Sequence, residues 1–186
     1  MADKIGVLAF CGSLRKGSFN RMALRAAQEL APEGMAIESF DIGAIPLYNE
    51  DVRAQGFPPP VEELRTRIGA ADAILFVTPE YNYSIPGVLK TAIDWASRPP
   101  AQPFDGKPVA IMGASPSMLG SARAQYHLRQ SCVYLNMFPV NRPEVLIAGA
   151  DKKFDADGKL TDEPTRKFIA QLLQALADWT RRLKAV

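Results

Sequence analysis

Residues 12–20 combine hydroxyl groups, glycines and positive charge in one short segment. They lie between an apolar run and a helical pattern, so we expect them at the N-terminus of a helix. The free N–H groups and the positive dipole end at such a position favour an anion. Ser13, Arg15, Ser18 and Asn20 offer the hydroxyl, guanidinium and amide groups that can wrap a phosphate without magnesium. The segment is therefore predicted to bind a terminal phosphate.

The same segment matches neither of two common nucleotide-binding motifs. Gly12 and Gly17 have the G-x-x-x-x-G spacing of a Walker A loop, but Ser18 stands where the lysine is required. Leu14 occupies the place of the second glycine of G-x-G-x-x-G, which argues against a dinucleotide fingerprint. A plain capped helix after a Gly-Ser turn, with Ser18 or Asn20 as N-cap, is the alternative interpretation.

A second segment with chemical potential spans residues 78–87 and follows a buried apolar run. Tyr81 and Tyr83 offer ring faces, while Asn82 and Ser84 offer hydrogen bonds. A planar heterocycle needs this mixture of apolar packing and a few fixed polar partners. Taken alone, the segment is equally typical of a packing or subunit-contact loop. Together with a phosphate loop across a crevice, it favours flavin mononucleotide (FMN).

The elements that position these two segments alternate between apolar runs and amphipathic helical patterns. Strands are predicted at 5–10, 36–40, 73–78, 108–113 and 143–147. Helices are predicted from about 21 to 30, around 61–68 and 88–96, from about 121 to 135, and over the last segment from about 161. This pattern predicts one α/β domain over 1–186 with a doubly wound parallel sheet. In the order 2-1-3-4-5, ligands bind beside the loops after strands one and three.

Composition excludes several other classes of protein. The 186 residues are 47% hydrophobic and 23% charged, with a formal net charge of +2 and no cluster of basic residues, so nucleic-acid binding is disfavoured. No run approaches the roughly 20 apolar residues that span a bilayer, and a cytoplasmic location is expected. Cys11, Cys132 and the single histidine, His127, cannot form a zinc site or a disulfide framework. His127 is interpreted as a surface or interface residue, and both cysteines as small hydrophobes.

The two loops also carry a family resemblance. GSLRKGSFN (12–20) followed by TPEYNYSIPGVLKTAIDWASRP (78–99) resembles the NADPH-dependent FMN reductase family, and within it the bacterial quinone and chromate reductases. The similarity extends to IPLYNED (45–51), to 113–130 and to RPEV (142–145). It implies a flavodoxin-like three-layer sandwich with a five-stranded parallel sheet of order 2-1-3-4-5.

The resemblance also implies which residues hold the cofactor. The phosphate of FMN would be held by the first loop, through Ser13, Arg15, Ser18, Phe19 and Asn20. The isoalloxazine would be lined by the second loop, through Pro79, Glu80, Tyr81, Asn82 and Tyr83, with Ser115 nearby. Such enzymes are homodimers or homotetramers, and an interface cluster is expected at Tyr83, Arg123, Tyr126 and Glu144. No side chain is assigned as a catalytic acid or base, and no metal is expected.

Two departures from the usual family wording bear on the site. Thr91 replaces an asparagine, and Ser117-Met118 replaces a glycine-rich turn, which leaves the contribution of Ser115 open. Arg98 is interpreted either as a residue at the mouth of the pocket or as an ordinary helix-end arginine.

The implied activity is ping-pong electron transfer from NADH or NADPH through FMN to quinones and other small acceptors, chromate among them. A free-flavin or azo-dye reductase of the same fold is an alternative. A flavodoxin-like electron carrier or regulatory flavin-binding module is an alternative of another class. Carriers of that kind tend to be strongly acidic, whereas this chain is slightly basic.

Overall fold

The computed structural model describes residues 4–185 as six parallel strands and six α-helices. The strands are β1 (Ile5–Cys11), β2 (Met35–Phe40), β3 (Ala73–Val77), β4 (Pro108–Ala114), β5 (Phe138–Pro139) and β6 (Val145–Ile147). The helices are α1 (Phe19–Glu29), α2 (Glu50–Arg53), α3 (Pro59–Ala70), α4 (Gly87–Ala96), α5 (Ala122–Tyr134) and α6 (Glu163–Lys184). Short 3-10 turns lie at Ile42–Ala44 and Ala150–Lys152.

The sheet has the order β2-β1-β3-β4-β5, which confirms the predicted flavodoxin-like topology. β1 pairs with β2 and β3, and β3, at the centre of the sheet, also pairs with β4. The carboxyl ends of β1, β3 and β4 therefore meet at one edge of the sheet. This is the edge at which parallel sheets of this order bind ligands.

The fifth position of the sheet differs from the prediction of one strand at 143–147. Two short strands share it: β5 pairs with Pro108 and Val109 at the start of β4, and β6 pairs with Met112 to Ala114 at its end. The N–H of Val140 still donates to the carbonyl of Val109 at 2.8 Å, and Pro143 lies in the gap that follows. Proline has no N–H to donate, so the Pro143 position cannot contribute a donor to the ladder.

Alternating side chains of the sheet feed two separate cores, one on each face. Val7 and Ala9 of β1 pack with α1 and α6, while Leu8 and Phe10 of the same strand pack with α3, α4 and α5. This period of two is what a strand covered on both faces requires. The predicted three-layer arrangement follows from it.

Across residues 4–185, no helix combines the length and the apolar character that crossing a membrane demands.

Candidate functional site

A cleft of about 230 Å³ opens at the carboxyl edge of the sheet, between the loops that follow β1, β3 and β4. It brings together nine of the eleven residues that were predicted from the sequence to bind FMN. These nine are Ser13, Arg15, Ser18, Phe19, Asn20, Pro79, Glu80, Tyr81 and Ser115. Ala114 and Pro116 complete the wall and were missed, although both flank Ser115 in the sequence. Asn82 and Tyr83 do not line it.

The loop after β1 presents buried hydroxyl groups beside the N-terminus of α1. Ser18 is the N-cap of that helix, and its Oγ accepts the N–H of Asn20 at 3.2 Å. Ser13 and Ser18 are almost fully buried. The capping interpretation is therefore right for Ser18, and it is compatible with an anion, because capping leaves other first-turn N–H groups without intrahelical partners.

Arg15 supplies positive charge at the rim of this loop. Its side chain is exposed, and its Nη2 donates to the carbonyl of Gly17 at 2.9 Å. The guanidinium carbon lies 5.9 Å from the centre of the Phe19 ring. These contacts place the guanidinium at the cleft and leave further N–H groups for an anionic ligand, since arginine has five.

Asn20 lines the cleft and is also bonded to the neighbouring strand. Its side chain is buried; Nδ2 donates to the carbonyl of Ala114 at 2.9 Å, and Oδ1 accepts the N–H of Ala114 at 2.9 Å. This reciprocal pair joins the first turn of α1 to the last residue of β4. The amide therefore ties the two walls of the cleft together through both of its polar atoms.

The loop after β3 folds back as a tight two-residue turn. Tyr81 and Ser84 exchange backbone hydrogen bonds at 3.1 and 3.0 Å, and the corner residues Asn82 and Tyr83 have positive φ values of 49° and 68°. Such a turn directs the corner residues away from the cleft, which explains why Asn82 and Tyr83 do not line it. Tyr81 reaches back across the cleft, with its hydroxyl 3.5 Å from Ser13 Oγ.

The loop after β4 forms the third wall. Ser115 Oγ accepts the N–H of Ser117 at 3.1 Å and lies 3.0 Å from Ser117 Oγ. The N–H of Ser115 donates to the carbonyl of Ile147 at 3.0 Å, which anchors this loop to the end of β6. Where the family usually has a glycine-rich turn, Ser117 thus holds the turn through hydrogen bonds to Ser115. Met118 is 91% exposed on the outside of this turn.

Thr91 and Trp95 of α4 hold the IPLYNED segment, a role that sequence reasoning missed. Thr91 Oγ1 accepts the N–H of Tyr48 at 2.9 Å, and Trp95 Nε1 donates to the carbonyl of Pro46 at 2.9 Å. The sequence feature that could have indicated this role is the polar side chain of Thr91 within an otherwise apolar helix face. Arg98 donates from Nε to the carbonyl of Asp94 at 3.0 Å, as a helix-end arginine does.

The four residues of the expected interface cluster form two contacts within the chain. The Tyr126 hydroxyl donates to Glu144 Oε2 at 3.3 Å, and this bond to a carboxylate raises the pKa of Tyr126. The Arg123 guanidinium lies over the Tyr83 ring, with Cζ 3.5 Å from the ring centre. His127 is exposed, and its Nδ1 lies 3.0 Å from Ser84 Oγ.

Neither cysteine has the properties of a reactive thiol. Burial raises the pKa of Cys132 to about 12, and burial also raises the pKa of Cys11. A thiol acts as a nucleophile through its thiolate, which a raised pKa suppresses.

A second cleft, of about 240 Å³, lies on the other side of α1, between that helix and the end of β2. Its polar groups include Arg21, Arg25 and Asp41. Asp41 is already used, because its Oδ1 accepts the N–H of Gly43 at 2.9 Å. The first cleft is the better candidate, because it combines hydroxyls, a guanidinium, a helix N-terminus and a tyrosine ring.

That donor set fits FMN. The hydroxyls of Ser13 and Ser18, the Arg15 guanidinium and the start of α1 suit a phosphate monoester. Pro79 and Tyr81 offer apolar and aromatic surface on the opposite wall for a flat ring.

Comparison with known proteins agrees with this geometry. Residues 5–152 match the model of the NADPH-dependent FMN reductase family. The chain is 61% identical over 184 residues to an NAD(P)H-dependent FMN reductase of Pseudomonas aeruginosa, covering 99% of this chain and 100% of that protein. It is 44% identical over 187 residues to a quinone reductase of Escherichia coli, covering 99% and 100%.

A solved structure extends the agreement to the whole fold. The flavoenzyme FerB of Paracoccus denitrificans, an NAD(P)H:(acceptor) oxidoreductase, superposes with a TM-score of 0.87 at 39% identity, over 96% of this chain and 98% of that one. The chain belongs to the NADPH-dependent FMN reductase family, with FMN as its cofactor and a reduced nicotinamide as its electron donor.

Proposed function

We propose that this protein is an FMN-dependent NAD(P)H:quinone oxidoreductase. The observation that carries the proposal is a cleft with FMN-binding chemistry in a chain similar over its full length to quinone reductases. Besides the Escherichia coli relative, the NAD(P)H:quinone oxidoreductase of potato is 47% identical over 186 residues, covering 97% of this chain and 95% of that protein.

We assign FMN to the cleft with its phosphate at the loop after β1 and its ring at the loop after β3. Ser13, Arg15 and the start of α1 would hold the phosphate, while Pro79 and Tyr81 would pack against the ring. Asn20 and Glu80 would contribute by holding the walls in place, because their side chains bond to Ala114 and to α5 respectively. Asn82 and Tyr83 would act from outside the cleft.

When bound, FMN supplies the redox chemistry by accepting hydride from the nicotinamide and passing the electrons to the acceptor. The chain supplies position and electrostatics. With the cleft assigned to FMN, donor and acceptor would bind beside the cofactor in turn, as a ping-pong scheme requires. Protons for the reduced quinone would come from water, since no side chain is assigned as a proton donor.

The test is the visible spectrum of the purified protein under anaerobic conditions. NADPH or NADH should bleach a bound-flavin spectrum, and a quinone should restore it. Initial rates at several fixed quinone concentrations should give parallel double-reciprocal lines. A flavin that bleaches but is not reoxidised by quinone would exclude quinone reduction, and intersecting lines would exclude ping-pong turnover.

Free-flavin reduction is the second candidate, because the relative from Pseudomonas aeruginosa carries the name of an FMN reductase. Steady-state rates with quinone, added FMN, an azo dye and chromate would rank the acceptors. A protein that transfers electrons to none of them would instead be a carrier or a flavin-binding module. The cytoplasmic location expected from the sequence stays a prediction, testable by cell fractionation.

A homodimer or homotetramer is also proposed, with Tyr83, Arg123, Tyr126 and Glu144 at the subunit contact. These side chains already contact one another in pairs on an exposed surface, where a second copy could join the pairs. Glu144→Ala should shift the assembly toward smaller species in light scattering. An unchanged mass in solution would remove this cluster from the interface.

A further inference from the structure

The carboxylate of Glu80 caps a helix that begins more than 40 residues later in the chain. Its Oε2 accepts the N–H of Arg123 at 3.0 Å and the N–H of Ala124 at 3.3 Å, both in the first turn of α5. The helix has no cap of its own, because Ser121 has a left-handed φ of 72° and makes no side-chain capping bond. The first N–H groups of a helix need acceptors, and the positive dipole end favours a carboxylate.

Arg123 completes the contact from the helix side. Its guanidinium forms an ion pair with Glu80 Oε1, and the Glu80 side chain is only 9% exposed. Charge-assisted bonds of this kind are strongest where water is excluded. Glu80 is therefore held by two backbone donors and one side-chain cation, and its charge is compensated.

The same guanidinium holds the tip of the loop that carries Glu80. It stacks on the Tyr83 ring at 3.5 Å, and Tyr83 occupies the left-handed region with Asn82. That conformation is unfavourable for side chains other than glycine unless surrounding contacts over-determine it. The loop is thus fixed at its base by the Glu80 carboxylate and at its tip by the Arg123 guanidinium.

We propose that Glu80 is a positioning residue for the FMN reaction. It fixes the loop of residues 79–84, and so the ring-facing residues Pro79 and Tyr81, by capping α5 and pairing with Arg123. This inference rests on the proposed function, since it assumes that the flavin ring packs against this loop. In this proposal the Glu80 carboxylate does not act by touching the ring. It acts by fixing the loop against α5.

The experiment compares Glu80→Ala and Glu80→Gln with the wild-type holoenzyme. FMN release on dilution, followed by flavin fluorescence, gives the dissociation constant, and visible circular dichroism reports the environment of the bound ring. Glu80→Ala should weaken FMN binding by on the order of tenfold or more and change the visible dichroism. Glu80→Gln should recover part of the FMN affinity and part of the wild-type dichroism, because an amide oxygen can still accept the N–H groups of Arg123 and Ala124. Glu163→Gln, an exposed carboxylate in the first turn of α6, is the matched control and should change neither.

The double variant Glu80→Gln with Arg123→Gln tests whether the two residues act as a unit. If they do, the double variant should bind FMN no more weakly than the weaker single variant. If the fold-losses in FMN affinity of the two single variants multiply in the double variant, the proposed action through Arg123 is refuted. Wild-type affinity and dichroism in Glu80→Ala, together with reduced resistance to urea, would reduce Glu80 to a stabilising cap. Failure of the wild type itself to retain FMN would instead refute the proposed function.

Discussion

Asn20 offers the sharpest test of how the cleft is built. We expect Asn20→Ala to destabilise the protein far more than a typical polar-to-alanine change on a helix. The side chain is 3% exposed, and it satisfies both the N–H and the carbonyl of Ala114 at 2.9 Å each. Removing it leaves two buried backbone groups without partners at the end of a central strand.

The expected size of the effect follows from those two groups. A buried polar group that loses its partner costs about 1–3 kcal/mol, so two such groups cost about 2–6 kcal/mol. Water entering from the cleft would satisfy part of this demand, because Asn20 and Ala114 both lie in the cleft wall. We therefore expect a loss of about 2–4 kcal/mol, a large part of the ~5–15 kcal/mol that stabilises a typical domain.

Urea denaturation measures this loss as a shift in midpoint at constant slope. Curves recorded without added FMN and at saturating FMN separate loss of folding stability from loss of cofactor binding. Gln28→Ala is the matched control, because this amide lies on the same helix, is exposed and makes one bond, to Ile37 O at 3.2 Å. It should change stability by less than about 0.5 kcal/mol. If the loss for Asn20→Ala is no larger than for the control, the tie between α1 and β4 does not stabilise the fold.

Three further outcomes are expected. Arg15→Ala should weaken FMN binding by on the order of tenfold with an unchanged urea midpoint of the FMN-free protein, while Lys16→Ala should bind almost normally; equal losses would indicate only general electrostatic attraction. Asp162→Ala should destabilise by about 1 kcal/mol near pH 7, since Asp162 caps α6 through Thr165, and this bond lowers its pKa. A lowered folded-state pKa means that the contribution is complete above the unfolded value of about 4 and is lost as the pH falls through the folded value, so the difference in stability should vanish in acid. Cys132 should resist alkylation at pH 8, because with a pKa of about 12 only about 1 in 10⁴ thiols is ionised; rapid labelling of the folded protein would contradict its burial.

Local patterns in the sequence were enough to place the two principal loops of the site. Apolar runs predicted β1 and β3, and parallel strands bring their carboxyl ends to the same edge, so residues 12–20 and 78–87 had to face each other. The residue types of those loops then indicated phosphate and ring binding. Each of these steps depends on neighbours in sequence or on a general rule of topology.

The tertiary structure decided what individual side chains do. Asn20 and Glu80 had the right types for cofactor ligands, but Asn20 bonds to Ala114, 94 residues away, and Glu80 caps α5, 43 residues away. Partners so distant in sequence leave no periodic signal. The division of the fifth sheet position between β5 and β6 was likewise set by pairing with β4, since Pro143 marks a break without revealing which strand lies beside it. The sequence by itself thus determined the fold and the location of the cleft, whereas long-range hydrogen bonds determined which polar groups remain free to bind a ligand.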